Sequence, residues 1–229
     1  MLCITSNGMT KMNKKIAIID YGVGNLYSVK KALDKFSGNV FITEEPEKLL
    51  SADAIILPGV GSFQAGIEGL RIRNLIQPVK KFASTGKPIL GICLGAQLLL
   101  SEGHEFGVFK GLNIIPGRVE RFPNLKEKIP HIGWNGVRHN NPWIGNKKSK
   151  ANVWKKTILN SIKGGSDVYF VHSYVLIPDK KGDVLAVTKY GDYEFCSTIR
   201  KNNIYGCQFH PEKSGDVGLK IIENFIKLI

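Results

Sequence analysis

The first hundred residues repeat one pattern: a short apolar run ends in glycine or proline and gives way to helical spacing. "KIAIID" (15–20) runs into "YGVGN", and from Asn25 onward Leu26, Val29, Leu33 and Phe36 recur three and four apart. That spacing predicts a helix with Asn25 as its N-cap. "NVFIT" (39–43), "AIILPG" (54–59) and "PILGI" (88–92) repeat the strand signal. Strands that alternate with helices pair through crossovers, so the chain reads as α/β with a central, mostly parallel sheet flanked by helices.

The second half differs. "GLNIIPGRVERF", "DVYFVHSYVLI", "DVLAVTKYG", "YEFCSTIR" and "IYGCQFH" are strand-like, and "RKNN" between the last two suits a hairpin turn. These predict an added antiparallel portion, followed by a C-terminal helix over "GLKIIENFIKLI". No repeat or linker divides the chain. One domain is expected over 13–229, behind an extension, residues 1–12, that lacks apolar periodicity and is expected to be disordered.

A net charge of +13 invites a nucleic-acid partner. Lysine supplies most of that charge, whereas base and phosphate readout leans on the arginine fork. The lysines are scattered, apart from the basic stretch 138–163 with its seven Lys or Arg and no acid. A solvated surface is therefore expected there, with no nucleic acid bound. No apolar run approaches the ~18–20 residues that span a bilayer, so no membrane partner is expected. Cys3, Cys93, Cys196 and Cys207 form no CxxC pair, which argues against a metal site and for a reducing, cytoplasmic setting.

In such sheets ligands sit beyond the carboxyl ends of the strands. Asp20–Gly22, Pro58–Gly61 and Cys93 fall at such ends. "GICLG" (91–95) has the form of a nucleophile elbow, in which small residues two before and two after the nucleophile let strand and helix pack around a sharp turn. A helix N-terminus is the polarity that a sulfur anion prefers, and the Leu94 N–H would face the oxyanion of an attacked carbonyl. A nucleophilic thiol needs a base. Among five histidines, His210 ends a strand and precedes Pro211-Glu212. Residues two apart in extended backbone share a side, so Glu212 is placed to orient His210. His104, His131 and His139 are assigned to packing or solvent, and His172 to a satisfied strand end near the site.

"GICLGAQLLL" together with "YGCQFHPEKS" resembles the triad-type (class I) glutamine amidotransferases. "IDYGVGNLYSVKKAL", "LPGVGSF", "PHIGWN" and "YFVHSY" narrow the resemblance to the glutaminase subunits of imidazole glycerol phosphate synthases. Two departures stand out: Ala96 where that family usually has methionine, and a longer, more basic segment at 138–165. The resemblance implies a flavodoxin-like core, L-glutamine as substrate, no cofactor, and a Cys93–His210–Glu212 triad. It further implies an oxyanion hole from Leu94 and the Gly59, Val60 and Gly61 loop, and glutamine contacts from Gln97 and Glu105. Asn25, Trp134 and Lys213 match positions near a partner interface. That partner would be a (β/α)₈ barrel synthase, docked so that ammonia is not lost to solvent. A relative that supplies ammonia for amidination of a glycan sugar, or an inactive scaffold that only binds a synthase, would share much of this pattern.

Overall fold

The computed structural model describes residues 3–4, 10–140 and 153–229. Its sheet has a parallel half built from β2 (Thr10–Ile19), β3 (Ser37–Thr43), β4 (Ala54–Leu57), β5 (Ile89–Ile92) and β14 (Ile204–Cys207), in the order β3-β2-β4-β5-β14. The antiparallel half continues from β14 through β13 (Tyr193–Lys201), β11 (Tyr174–Pro178) and β8 (Gly117–Arg121). The hairpin of β6 (Glu102–His104) and β7 (Val108–Lys110) closes that edge, and β12 (Val184–Tyr190) also pairs with β13. A separate two-stranded ribbon pairs β9 (His131–Val137) with β10 (Ser166–His172).

The apolar runs of the parallel strands follow from burial on both faces. Along β2, Ile16 and Ile18 enter one core while Ala17 and Ile19 enter the other, and along β4, Ala54 and Ile56 alternate in the same way with Ile55 and Leu57. Each buried Ile or Leu contributes about 1.5–3 kcal/mol. Helices α1 (Leu26–Leu33), α2 (Pro46–Ser51), α3 (Phe63–Ile72), α4 (Ile76–Ser84), α5 (Leu94–Leu98) and α6 (Gly215–Ile226) cover these faces. The Asn25 side chain caps α1 by accepting from the Ser28 N–H at 3.2 Å, as the sequence predicts. No helix among the described residues is long and apolar enough to cross a membrane.

Four local readings are corrected. Strand β2 starts at Thr10 rather than Lys15, and β1 (Cys3–Ile4) pairs with it; residues 1–2 and 5–9 of the extension lie outside the described residues. The helix that the pattern "LGAQLLLSE" predicts after Cys93 stops at Leu98, because the chain turns back into the β6–β7 hairpin. "DVYFVHSYVLI" breaks at Ser173 into two strands that belong to different sheets. The basic stretch 138–163 is not all surface: Trp154, Ile158 and Leu159 are buried, and the Trp154 ring N–H donates to the Leu185 carbonyl at 3.1 Å. Residues 141–152, with Lys147, Lys148 and Lys150, lie outside the described residues.

Candidate active site

Cys93 stands between β5 and α5 with φ +52° and ψ −108°, a conformation that is strained for a residue with a side chain. Its surroundings enforce that turn. A Cβ on Gly91 would lie 2.8 Å from the Ala96 backbone, and one on Gly95 would lie 1.7 Å from the Leu57 carbonyl oxygen. The Cys93 N–H donates to the Cys207 carbonyl at 2.7 Å, so the elbow is tied to the neighbouring strand β14. Ala96 packs over Gly206 of that strand, where a Gly206 Cβ would come within 2.9 Å of the alanine methyl.

His210 and Glu212 arrive from the far side of β14. Pro211 ends the extended backbone, and Pro211–Lys213 form a single 3-10 turn with His210 at its head. Glu212 therefore reaches back to His210 through a turn, not along a strand as the sequence suggests. Its Oε1 lies 2.9 Å from His210 Nδ1, and both side chains are almost wholly buried. The turn is braced from β10: the His210 N–H donates to the Tyr169 carbonyl at 2.9 Å. The Ser214 hydroxyl donates to the His210 carbonyl at 2.6 Å and accepts from the Tyr169 N–H. His210 Nε2 is buried without an ordinary hydrogen bond, and the Cys93 thiol is the group that acts on it. Burial pulls the imidazole pKa down, but Cys93 and Glu212 outweigh burial and raise it to about 9.

The Leu94 N–H is already engaged, donating to the Gly59 carbonyl at 3.3 Å. Gly59 is confined here, because a Cβ would meet the Tyr21 hydroxyl at 2.2 Å and Leu94 at 3.0 Å. The buried Tyr21 hydroxyl donates to the Pro58 carbonyl, anchoring the loop from below. Val60 at the loop tip is exposed, and Gly61 has φ +112°.

Gln97 and Glu105 line the other side. Gln97 Nε2 donates to Gln208 Oε1 at 3.1 Å and to the Tyr174 carbonyl at 3.5 Å, and Gln208 Nε2 lies 3.7 Å from the Cys93 sulfur. Glu105 accepts from the Phe63 N–H at the head of α3 at 2.6 Å. Burial raises the Tyr174 phenol pKa, and the Glu105 carboxylate adds to that rise. Sequence reasoning missed Gln208, though it is fully buried beside the thiol; the signal was a polar residue inside the apolar run "IYGCQF".

Asn25, Lys213, Gly59, Val60, His210 and Glu212 all border one narrow cleft. Trp134 is 54% exposed, not a core aromatic. Its ring meets Tyr169 edge-on at 5.9 Å, and Lys213 Nζ lies over the same Tyr169 at 5.9 Å. The structure thus brings Asn25, Trp134 and Lys213 to one outer face beside His210 and Glu212. Among the described residues, no group of three His, Cys, Asp or Glu side chains is placed to hold a metal ion.

The arrangement has parts that acyl transfer uses: a thiol on a strained corner, a buried carboxylate-paired imidazole, and at the elbow the Leu94 N–H, held at present by the Gly59 carbonyl. The family description "Glutamine amidotransferase class-I" matches residues 17–228. The imidazole glycerol phosphate synthase subunit HisH 1 of Legionella pneumophila (strain Paris) is 45% identical over 218 residues, covering 93% of this chain and 99% of that protein. The HisH subunit of Moorella thermoacetica is 43% identical over 216 residues, covering 94% and 96%. The structure of PurLQS from Thermotoga maritima superposes with a TM-score of 0.69 at 18% identity, over 94% of this chain and 99% of that one. The last is a likeness of fold. The chain belongs to the class-I glutamine amidotransferases and, among them, to the family of the HisH subunits of imidazole glycerol phosphate synthase.

Proposed function

We propose that this protein is a glutaminase subunit that hydrolyses L-glutamine to glutamate and ammonia and hands the ammonia to a synthase subunit. The observation that carries the reading is Cys93 at φ +52° beside the buried His210–Glu212 pair. The Cys93 sulfur attacks the side-chain amide carbon of glutamine. The oxyanion is received by the Leu94 N–H and by a donor from the Gly59–Gly61 loop once that loop has turned. The C–N bond then breaks, and His210 gives its Nε2 proton to the departing nitrogen, which leaves as ammonia. Water attacks the glutamyl thioester, His210 takes its proton, and glutamate leaves as the thiolate is restored. Glu212 holds the Nδ1–H throughout and stabilises the imidazolium. Gln97 and Glu105 hold the substrate.

Asn25, Trp134 and Lys213 form the docking face for the synthase subunit. That subunit is a (β/α)₈ barrel, which joins the ammonia to its acceptor to form imidazole glycerol phosphate and AICAR. The relatives named above, which are subunits of imidazole glycerol phosphate synthases, support this partner over a glycan-amidating one. The test is glutamate release by the wild-type protein and by Cys93→Ala, with the fold followed by circular dichroism. Complete loss in a folded Cys93→Ala is expected. Near wild-type release by that variant would overturn the nucleophile, and an inactive wild type that still binds a synthase would mark a scaffold.

A further inference from the structure

The mechanism above leaves a buried histidine pair unused. His131 on β9 and His172 at the end of β10 are both buried, with His131 Nδ1 3.1 Å from His172 Nε2. The outer nitrogens are also engaged: His172 Nδ1 lies 2.8 Å from the Tyr174 carbonyl, and His131 Nε2 lies 2.7 Å from the Asn135 amide.

Counting hydrogens decides the tautomers. A carbonyl only accepts, so His172 carries its hydrogen on Nδ1. A neutral imidazole has one N–H, so His172 Nε2 is bare and accepts, and His131 Nδ1 must donate to it. A neutral His131 then has a bare Nε2, which needs a donor. With Asn135 Oδ1 toward that nitrogen and Nδ2 donating to the Lys189 carbonyl at 3.3 Å, His131 would have to be a cation.

We infer that the Asn135 amide turns its N–H onto His131, and that Asn135, His131 and His172 form a one-directional relay positioning the Tyr174 carbonyl. Burial decides for this neutral form. It lowers the pKa of His131, on which that cation would sit, by more than the Asn135 hydrogen bond raises it, and it lowers that of the adjoining His172 to about 3, so neither ring readily takes a second proton. His210, the other charge-bearing group that acts on His172, opposes a second cation as well. Around the pair stand the Tyr190 ring, stacked on His131 at 4.0 Å, and the apolar rings of Phe122, Phe170 and Phe195. Turning the amide gives up the 3.3 Å bond to the Lys189 carbonyl and brings Asn135 Oδ1 toward that oxygen, a contact at the exposed edge where water can part the two acceptors.

The relay ends where it matters. The Tyr174 carbonyl also accepts from Gln97, which bonds Gln208, which touches the Cys93 sulfur. Hydrogen bonds thus run from β9, which carries the exposed Trp134, to the thiol. His131, His172 and Asn135 are positioning residues, and their effect on turnover rests on the glutaminase reading.

Ring-nitrogen NMR on the full chain reads the relay directly. Both histidines are expected as Nδ1–H tautomers from pH 6 to 8; an imidazolium, or a His131 hydrogen on Nε2, overturns it. In kinetics, Asn135→Leu is expected to raise KM for glutamine about tenfold with little change in kcat. Asn135→Asp, which can only accept, is expected to force a proton onto the pair and to add an ionisation to the KM–pH profile. A KM–pH profile of Asn135→Asp that overlays the wild type overturns the positioning role. A wild type without glutaminase activity removes the glutaminase reading instead, and the ring-nitrogen shifts still decide the relay.

Discussion

The Leu94 N–H donates to the Gly59 carbonyl at 3.3 Å, so the donor at the elbow is capped by the loop that should help it. A second donor from the Gly59–Gly61 loop requires that carbonyl to leave. One missing oxyanion donor lowers turnover by about 10²–10³. The isolated protein is therefore expected to bind glutamine and hydrolyse it slowly, and a docked synthase with its ligand to accelerate it by about that factor. Turnover measured alone, with synthase, and with synthase plus ligand checks this. Three equal rates would mean that the hole is already open.

The pKa of His210, raised to about 9 from 6.5, gives stability a pH dependence. A folded-state pKa above the unfolded value makes a contribution that is fully present below about 6.5 and is lost as pH rises through about 9. Glu212→Gln removes one of the groups that raise it. The wild-type melting temperature is expected to fall between pH 7 and 10 more steeply than that of Glu212→Gln. Parallel curves would show that the pair does not carry the effect. Loss of activity in Glu212→Gln is expected to be milder than in His210→Ala, because packing still holds the ring.

Gly95→Ala places a methyl 1.7 Å from the Leu57 carbonyl oxygen, a backbone atom that cannot move aside alone. A loss of about 3 kcal/mol or more is expected in urea unfolding, together with loss of activity. Gly38→Ala, with nothing within 4 Å, is the control and is expected to shift stability by less than about 0.5 kcal/mol.

The elbow was legible in the sequence because its demands are local. Gly91 and Gly95 are the residues a sharp strand-to-helix turn requires, and Pro211 opens the turn that holds His210, three residues past the end of β14. Helix α2, six residues long, and the short β6–β7 hairpin carry too little periodicity to be read. The neighbours of the site were hidden for another reason. Tyr21 on Pro58, Tyr169 on His210 and Gln208 on Cys93 are contacts between distant segments, which no local pattern encodes. Composition also misled: the lysines of 138–163 obscured Trp154, Ile158 and Leu159, which a series of turns carries into the core.

Trp154→Ala is accordingly expected to cost about 3–5 kcal/mol, the range for a buried large aromatic. Glutamine lysine substitutions at 147, 148 and 150 are expected to leave turnover unchanged. Unfolding midpoints and glutamate release separate the two cases; a Trp154→Ala midpoint equal to wild type would contradict the burial.

A chain shortened to begin at Met12 is expected to keep its activity and to melt within a few degrees of the full chain. It retains every pair that joins β2 to β3 and β4. A large drop in melting temperature would show that the Cys3–Ile4 strand contributes to the fold.

The pairing of β5 with β14 has a consequence for how the protein comes into being. Gly91 sits opposite Gly206 and Ile92 opposite Cys207, and Cys93 bonds across the same seam. Cys93 and His210 are thus joined through neighbouring strands that lie more than a hundred residues apart in the chain. Closing so long a loop is slow, and the closure is not rewarded until both strands are present. On a ribosome, Cys93 leaves the exit tunnel long before His210, the base proposed to activate it. On the proposed mechanism the protein is therefore born inert, and becomes reactive only when β14 has been made and has found the middle of the sheet.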